Sequence, residues 1–279
     1  MAVPPAAPTG LMRRFLCLLL LLAGLPVVAA ERVVSLAPSL TDMVLELGAA
    51  DRLAGLLDGG PRPQSLKGLP SVGRYGQVNL EQILALQPDL LLVWPGAVPE
   101  AQLQRLKAVG IPVYVADPHR LEDISRQFRE LGERLGRAEK GHELAQAFDA
   151  RMAQLRAQYR REPPLRVFYQ VWDRPLYTVG GRQIISEALE VCGGRNLFAD
   201  LALPAPQVGQ EAVLARDPQV ILAASEDQLR SWNGMRQLSA TRLKQLWVVP
   251  DRNLEKPSFA MLDATEQLCR LLAGAKADD

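Results

Sequence analysis

The sequence predicts an α/β protein of two Rossmann-like lobes with parallel sheets, joined by one long rigid α-helix. Three observations carry this expectation. Short β-branched or leucine-rich runs alternate with helical periods from Arg32 onward, a charged and helically patterned stretch at 121–161 interrupts that alternation, and the segment 79–92 recurs as 209–222 beyond the interruption. Alternation of this kind argues for βαβ units with parallel strands and against a sandwich.

The first lobe reads as strand 33–36, helix 39–47 ending at Gly48, and strand 53–57. A Gly/Pro-rich loop at 58–70 follows, then helix 79–86, strand 90–94, helix 100–109 and strand 113–116. Between 121 and 161 the breaks fall around Gly136 and Gly141, and Leu144, Phe148, Met152, Leu155 and Tyr159 recur at helical spacing. That spacing predicts one long amphipathic helix, stopped by Pro163-Pro164. The second series reads strand 165–171, helix 184–191, helix 211–215, strand 220–223, strand 246–249 and a terminal helix 261–272. The expected organisation is a signal peptide at 1–30, lobes at 31–120 and 163–279, and a helical region at 121–162 between them.

The internal repeat is ungapped: Asn79-Leu80-Glu81 through Pro88-Asp89-Leu90 matches Gly209-Gln210-Glu211 through Pro218-Gln219-Val220. Any α/β unit yields a short helix, a proline and a buried strand. Agreement at Glu, Leu, Ala, Pro and Leu without a gap favours duplication of a lobe. A weaker echo links Leu45-Glu46-Leu47-Gly48 with Leu189-Glu190-Val191-Cys192-Gly193-Gly194, each closing a helix early in its lobe.

Arg13 and Arg14 precede an apolar run at 15–22 that continues to Val28-Ala29-Ala30, the pattern of a secretory signal peptide with Glu31 as the mature N-terminus. The apolar stretch is too short for a stop-transfer helix. A start at Met12 would give a signal of normal form, so either Met1 or Met12 can be the first residue. Cys17 lies inside the apolar run without the small residue before it that lipoprotein processing requires, which argues against lipid anchoring. Of the chain's 279 residues, 32 are Lys or Arg and 31 are Asp or Glu, so no electrostatic footprint for nucleic acid or an anionic membrane surface appears. Any partner must be recognised locally. Cys192 and Cys269, in an oxidising compartment, read as a disulfide or as two buried free thiols.

Two α/β lobes create a cleft, and in open parallel sheets ligands bind beyond the carboxyl ends of the strands. Trp94 ends a strand of the first lobe, Trp172 follows the first strand of the second, and Tyr75 sits in the loop just before the repeat helix. Such rings would grip a broad, partly apolar macrocycle, or they are simply core. Asp173 beside Trp172, with Pro38, Asp251, Asn253 and Lys256 at other strand-end loops, completes the set of binding candidates. Signatures of catalysis are missing: there is no P-loop, no Gly-x-Ser-x-Gly elbow and no paired metal motif. With His119 and His142 as the only histidines, a His-rich metal site is not expected, nor is a resident cofactor. Glu81 and Glu211 occupy matching first turns of the repeat helices, where a carboxylate either complements the helix dipole or presents one acidic knob per lobe to a two-fold partner.

The chain resembles the cobalamin-binding periplasmic proteins of vitamin B12 ABC importers, within the class III solute-binding group whose lobes are joined by a rigid helix. The resemblance rests on Val33-Val34-Ser35-Leu36-Ala37-Pro38-Ser39-Leu40-Thr41, Asn79-Leu80-Glu81, Pro88-Asp89-Leu90, Val191-Cys192-Gly193-Gly194, Pro206-Gln207-Val208 with Glu211 through Ala215, and Gln267-Leu268-Cys269. It implies a monomer in the periplasm that carries a corrinoid to an inner-membrane permease. It implies also that Cys192 and Cys269 pair, that Glu81 and Glu211 dock the permease, and that Tyr75 and Trp94 contact ligand. Two departures stand out: the Gly59-Gly60-Pro61 loop lacks a tyrosine found in such proteins, and Ala205 stands where an aromatic contact would be. Relatives of the same fold bind haem, which would make Tyr75 an axial iron ligand, or ferric siderophores.

Overall fold

The computed structural model describes residues 29–60 and 62–276; the signal-peptide reading falls almost wholly outside them. The first sheet contains β1 (Val33–Ser35), β2 (Leu53–Asp58), β3 (Ser71–Arg74), β4 (Gln77–Val78), β5 (Leu90–Val93) and β6 (Val113–Val115). Their order is β4-β3-β2-β1-β5-β6, parallel except for β4, which folds back on β3 as a hairpin. Helices α1 (Pro38–Glu46), α2 (Leu80–Ala85) and α3 (Glu100–Ala108) connect them. Pro38 at the start of α1 suits a first turn whose N–H would be unpaired anyway. Asn79 caps α2 by accepting a hydrogen bond from the Gln82 N–H at 3.0 Å.

The second sheet is built on β7 (Leu165–Asp173), flanked by β10 (Val220–Ala223) and then β11 (Leu246–Val248). On the other side of β7, β9 (Gly194–Asn196) pairs parallel with its first half and β8 (Leu176–Thr178) antiparallel with its end. Its helices are α6 (Ile184–Val191), α7 (Gln210–Arg216), α8 (Glu226–Leu229), α9 (Ser239–Arg242) and α10 (Ala260–Ala273). One sequence expectation needs correction here. Trp172 and Asp173 belong to β7 itself, because Arg174-Pro175 turns the chain tightly back into β8 and the pairing carries through Trp172↔Tyr177 and Asp173↔Leu176.

Between the sheets lie α4 (Leu121–Arg134) and α5 (Ala138–Gln158). The break at Gly136 is real, with φ +67° in the turn between them. Gly141 is not a break. It lies inside α5 where the two helices cross, and a Cβ there would collide with the carbonyl oxygen of Phe128. Pattern reading takes a glycine as a helix stop, whereas here it serves close backbone approach.

The duplication goes deeper than the repeated segment. Val33 pairs with Leu90 across β1 and β5, and Val167 with Val220 across β7 and β10, the same register in repeat coordinates. Gln87 and Asp217, equivalent in the repeat, are both left-handed, with φ 47° and 42°. The Arg32 N–H donates to the Asp89 carboxylate at 3.0 Å and the Arg166 N–H to the Gln219 side chain at 3.0 Å. Each arginine's guanidinium also reaches the carbonyl at its helix end, Leu86 or Asp217. The two lobes therefore share one construction around their first strands.

A single hydrophobic core runs from the first sheet (Val33, Leu90) through the connecting helices (Phe128, Phe148) to the second (Val167, Leu222, Leu268). Smaller clusters cover the outer faces, one around Leu36 and Val93 and one around Phe168 and Trp232. Lobes that share an apolar core are held at nearly fixed separation, unlike lobes tied by a polar hinge. The Cys192 and Cys269 sulfurs are bonded, tying the end of α6 to α10 across 77 residues of chain.

Candidate functional site

A cavity of about 490 Å³ opens where the carboxyl ends of both sheets meet. From the first lobe it is lined by the β1–α1 junction (Leu36, Ala37, Pro38, Ser39), by Gly59 after β2, by Tyr75 in the β3–β4 turn and by Trp94 after β5. The second lobe contributes Arg252 and Glu255 from the short helical turn that follows β11, and Lys256 and Pro257 just after it. Parallel strands end on one edge, so every loop that follows a strand converges there.

Two aromatic residues are set firmly. Tyr75 leaves 61% of its surface exposed, and its hydroxyl donates to the Pro95 carbonyl at 3.2 Å. The neighbouring Gly96 lies in the left-handed region with φ +79°, and a Cβ there would come within 2.5 Å of that hydroxyl. Trp94 is half-buried, packed against both the shared core and the outer cluster of the first lobe while also lining the cavity. Each presents apolar area while few rotamers remain to be frozen.

The polar groups are held from the second lobe. Glu255 accepts from the Tyr169 hydroxyl at 3.1 Å and from the Arg252 guanidinium at 3.2 Å. Burial, reinforced by Glu255, raises the Tyr169 pKa well above the usual tyrosine value, so the phenol stays a donor. Lys256 reaches across the cleft to Asp42 on α1 at 3.9 Å. Burial raises the Asp42 pKa, and Lys256 offsets part of that rise.

One turn further along α1, Glu46 accepts from the Phe259 and Ala260 N–H groups at 3.0 and 3.1 Å, capping the terminal helix of the other lobe. Phe259 wedges edge-on against Phe128 at 6.1 Å between ring centroids. Burial raises the Glu46 pKa above its ordinary value despite these two N–H donors. A raised folded-state pKa contributes stability that is present below the ordinary carboxylate value and is lost as pH rises through the folded value. Glu46→Gln, which keeps an acceptor and removes the buried charge, is therefore expected to gain stability relative to the parent as pH rises from 4 to 7. Urea unfolding of both proteins across that range checks this; a difference that stays flat would refute it.

The cavity brings together Pro38, Tyr75, Trp94 and Lys256 from the sequence candidates. Trp172, 56% exposed, stands at the carboxyl end of β7 and is not core; neither it nor Asp173, paired with Arg174 at 3.3 Å, lines the cavity. Asp251 and Asn253 also lie outside the lining. The Asp251 carboxylate accepts from the Asn253 N–H at 2.8 Å and from the Gln267 side chain at 3.2 Å, so it shapes the turn that presents its neighbours. Arg252 and Glu255 were missed by sequence reasoning, although a helical turn starting at Asp251 puts 252, 255 and 256 on one side.

Glu81 and Glu211 are both exposed in the first turns of α2 and α7, and among the described residues neither pairs with a cation. Among the described residues no group of three or more His, Cys, Asp or Glu side chains is placed to hold a metal, and no helix is long and apolar enough to cross a membrane.

Two duplicated α/β lobes, a spacing fixed by a shared core and a cleft lined by rings on one side and charges on the other define a ligand-clamping binding protein. The model of the family described as periplasmic binding protein matches residues 33–252, and the chain belongs to that family. It is 37% identical over 274 residues to a Vitamin B12-binding protein of Yersinia pseudotuberculosis serotype O:1b, covering 95% of this chain and 96% of that one. Among solved structures it is similar to the periplasmic Vitamin B12 binding protein BtuF of Vibrio cholerae, with a TM-score of 0.78, 34% identity, and coverage of 88% of this chain and 97% of that one. It shares its fold with the periplasmic heme-binding protein BhuT, in complex with two hemes, at a TM-score of 0.76 and 23% identity, covering 88% of this chain and 98% of that one.

Proposed function

We propose that this protein captures cobalamin or a related corrinoid between its lobes in the periplasm and delivers it to an inner-membrane ABC permease, making and breaking no bond. The observation that supports this most is the cavity at the meeting of the two carboxyl edges, with Tyr75 and Trp94 on one side and Arg252, Glu255 and Lys256 on the other. A corrin ring is flat and broad with a rim of amides. Aromatic faces suit the first feature, and paired charges that both donate and accept suit the second. Trp172 and Asp173 would close on the ligand from the end of β7, and Pro38, Asp251 and Asn253 would contact or position the rim.

Export proceeds by cleavage after Ala30, leaving lobes 31–120 and 163–279 around the helical region 121–162, and the mature protein acts as a monomer. Because the lobes share one core, binding requires only a small closure and little ordering cost. Glu81 and Glu211 would engage arginines on the two halves of the permease. Glu81→Arg with Glu211→Arg is expected to leave corrinoid affinity unchanged while lowering binding-protein-dependent transport by about tenfold or more, because like charges now meet across the docking contact. Transport into permease-containing vesicles measures this; unchanged uptake would remove the docking role.

The functional test is calorimetry of the protein against cyanocobalamin, cobinamide, hemin and a ferric hydroxamate. One-site binding of the corrinoids with no heat from the other two is the expected result. Binding of hemin or the ferric chelate in their place would overturn the reading, as would turnover of the ligand.

A further inference from the structure

At the pole of the second lobe away from the cleft, the last turns of α5 and the start of β9 enclose a second cavity of about 720 Å³. Its chemistry is unlike that of the cleft. Four arginines line it, Arg156, Arg160, Arg161 and Arg195, with one acidic residue, Glu190.

The space is built by the backbone and not by loose side chains. Ala153 and Ala157, one turn apart on α5, leave the wall low. Gly193, left-handed at φ +73°, lets β9 approach the end of α5 so closely that a Cβ would collide with the Tyr159 carbonyl oxygen. The disulfide at the adjoining Cys192 fixes this edge to α10.

The charges are only partly answered within the protein. Arg156 pairs with Glu187 at 3.2 Å, and Arg160 stands 4.0 Å from Glu162 with both side chains largely exposed. Arg161 donates through both terminal nitrogens to the Ala275 carbonyl at 3.1 and 3.2 Å, and among the described residues no carboxylate pairs with it or with Arg195. Burial, and then Glu187, raise the pKa of Glu190, and Arg156 offsets part of that rise. In a chain whose formal net charge is +1, four arginines around one concavity are a local concentration of positive charge.

We propose that this cavity is a second binding site, for a phosphate-bearing anion. Planar guanidinium groups match phosphate oxygens two at a time, and a concave floor without side chains gives the anion room among them. The phosphate belongs either to a soluble molecule or to a lipid headgroup, and the two sources separate experimentally.

The full-length exported protein is titrated with pyrophosphate by amide NMR at physiological ionic strength, and in parallel is floated with vesicles of phosphatidylglycerol in phosphatidylcholine and of phosphatidylcholine alone. Shifts centred on Gly193, Gly194 and Arg195 are expected in the first arm if the source is soluble, and flotation dependent on phosphatidylglycerol in the second if it is a headgroup. Arg160→Glu with Arg195→Glu, both exposed positions, should weaken whichever interaction occurs by about tenfold or more. Cyanocobalamin titration of the same variant, expected to match the parent, reports that the fold and the cleft are intact. Binding in neither arm, or binding that survives the charge reversal, overturns the proposal.

Discussion

Replacing Tyr75 and Trp94 together with alanine is expected to weaken corrinoid binding by about 3 kcal/mol, roughly a hundredfold. The figure follows from area. If each ring covers on the order of 100 Å² of ligand, burial at about 25 cal/mol per Å² gives about 2.5 kcal/mol per ring, and non-additivity of neighbouring contacts reduces the pair. The rings are worth this much because they are already placed: Gly96 leaves room for the Tyr75 hydroxyl, which is tied to the Pro95 carbonyl, and Trp94 is wedged between two apolar clusters. Little entropy is lost when a ligand settles on them.

Tyr75→Phe separates two chemistries. A stacking ring keeps its affinity to within a few-fold, whereas an axial ligand to iron loses its donor oxygen altogether. Trp172→Ala provides a second comparison, because that ring does not line the cavity. A loss as large as that of Trp94→Ala would mean that β7 and the first lobe approach one another on binding. Calorimetry with cyanocobalamin measures all of these, and parent-like affinity in the double alanine variant would remove the cleft as the binding site.

The architecture was legible because its signals are local and repeated. Proline after helix, β-branched strand after proline and an ungapped recurrence 130 residues later each follow from short segments, and 79–92 and 209–222 do fold alike. Deeper equivalences, such as Arg32 with Arg166, were hidden because the arginines act on groups more than 50 residues away. At the site, the rule that ligands bind beyond strand ends pointed to Tyr75, Trp94, Pro38 and Lys256, all of which line the cavity. It also nominated Asp251 and Asn253, which sit in the same loop outside the cavity lining, since a strand-end rule carries no information on which way a following turn faces. Trp172 was placed in a loop because the antiparallel return of β8 depends on a tight turn at Arg174-Pro175 that alternation alone does not reveal. Gly141 misled for the opposite reason, being a helix-interior glycine whose purpose is a tertiary contact.

Cys192→Ala with Cys269→Ala is expected to destabilise the protein by about 4 kcal/mol and lower its midpoint of thermal unfolding by about 10 °C. The bond closes a loop of 77 residues, so most of its contribution comes from restricting the unfolded chain. Alanine is the informative replacement. Cys192 and Cys269 are 3% and 0% exposed, and serine would add two buried hydroxyls whose unpaired burial is a separate cost. Corrinoid affinity should stay close to the parent value, because the bond sits beside the start of β9 at the edge opposite the cleft, and the core shared with the connecting helices holds the lobes without it. Differential scanning calorimetry and a cyanocobalamin titration on the same variant decide both halves. A midpoint within two or three degrees of the parent would show that the core alone fixes α6 against α10, and a loss of affinity would show that the far edge of the lobe is coupled to the cleft through β7.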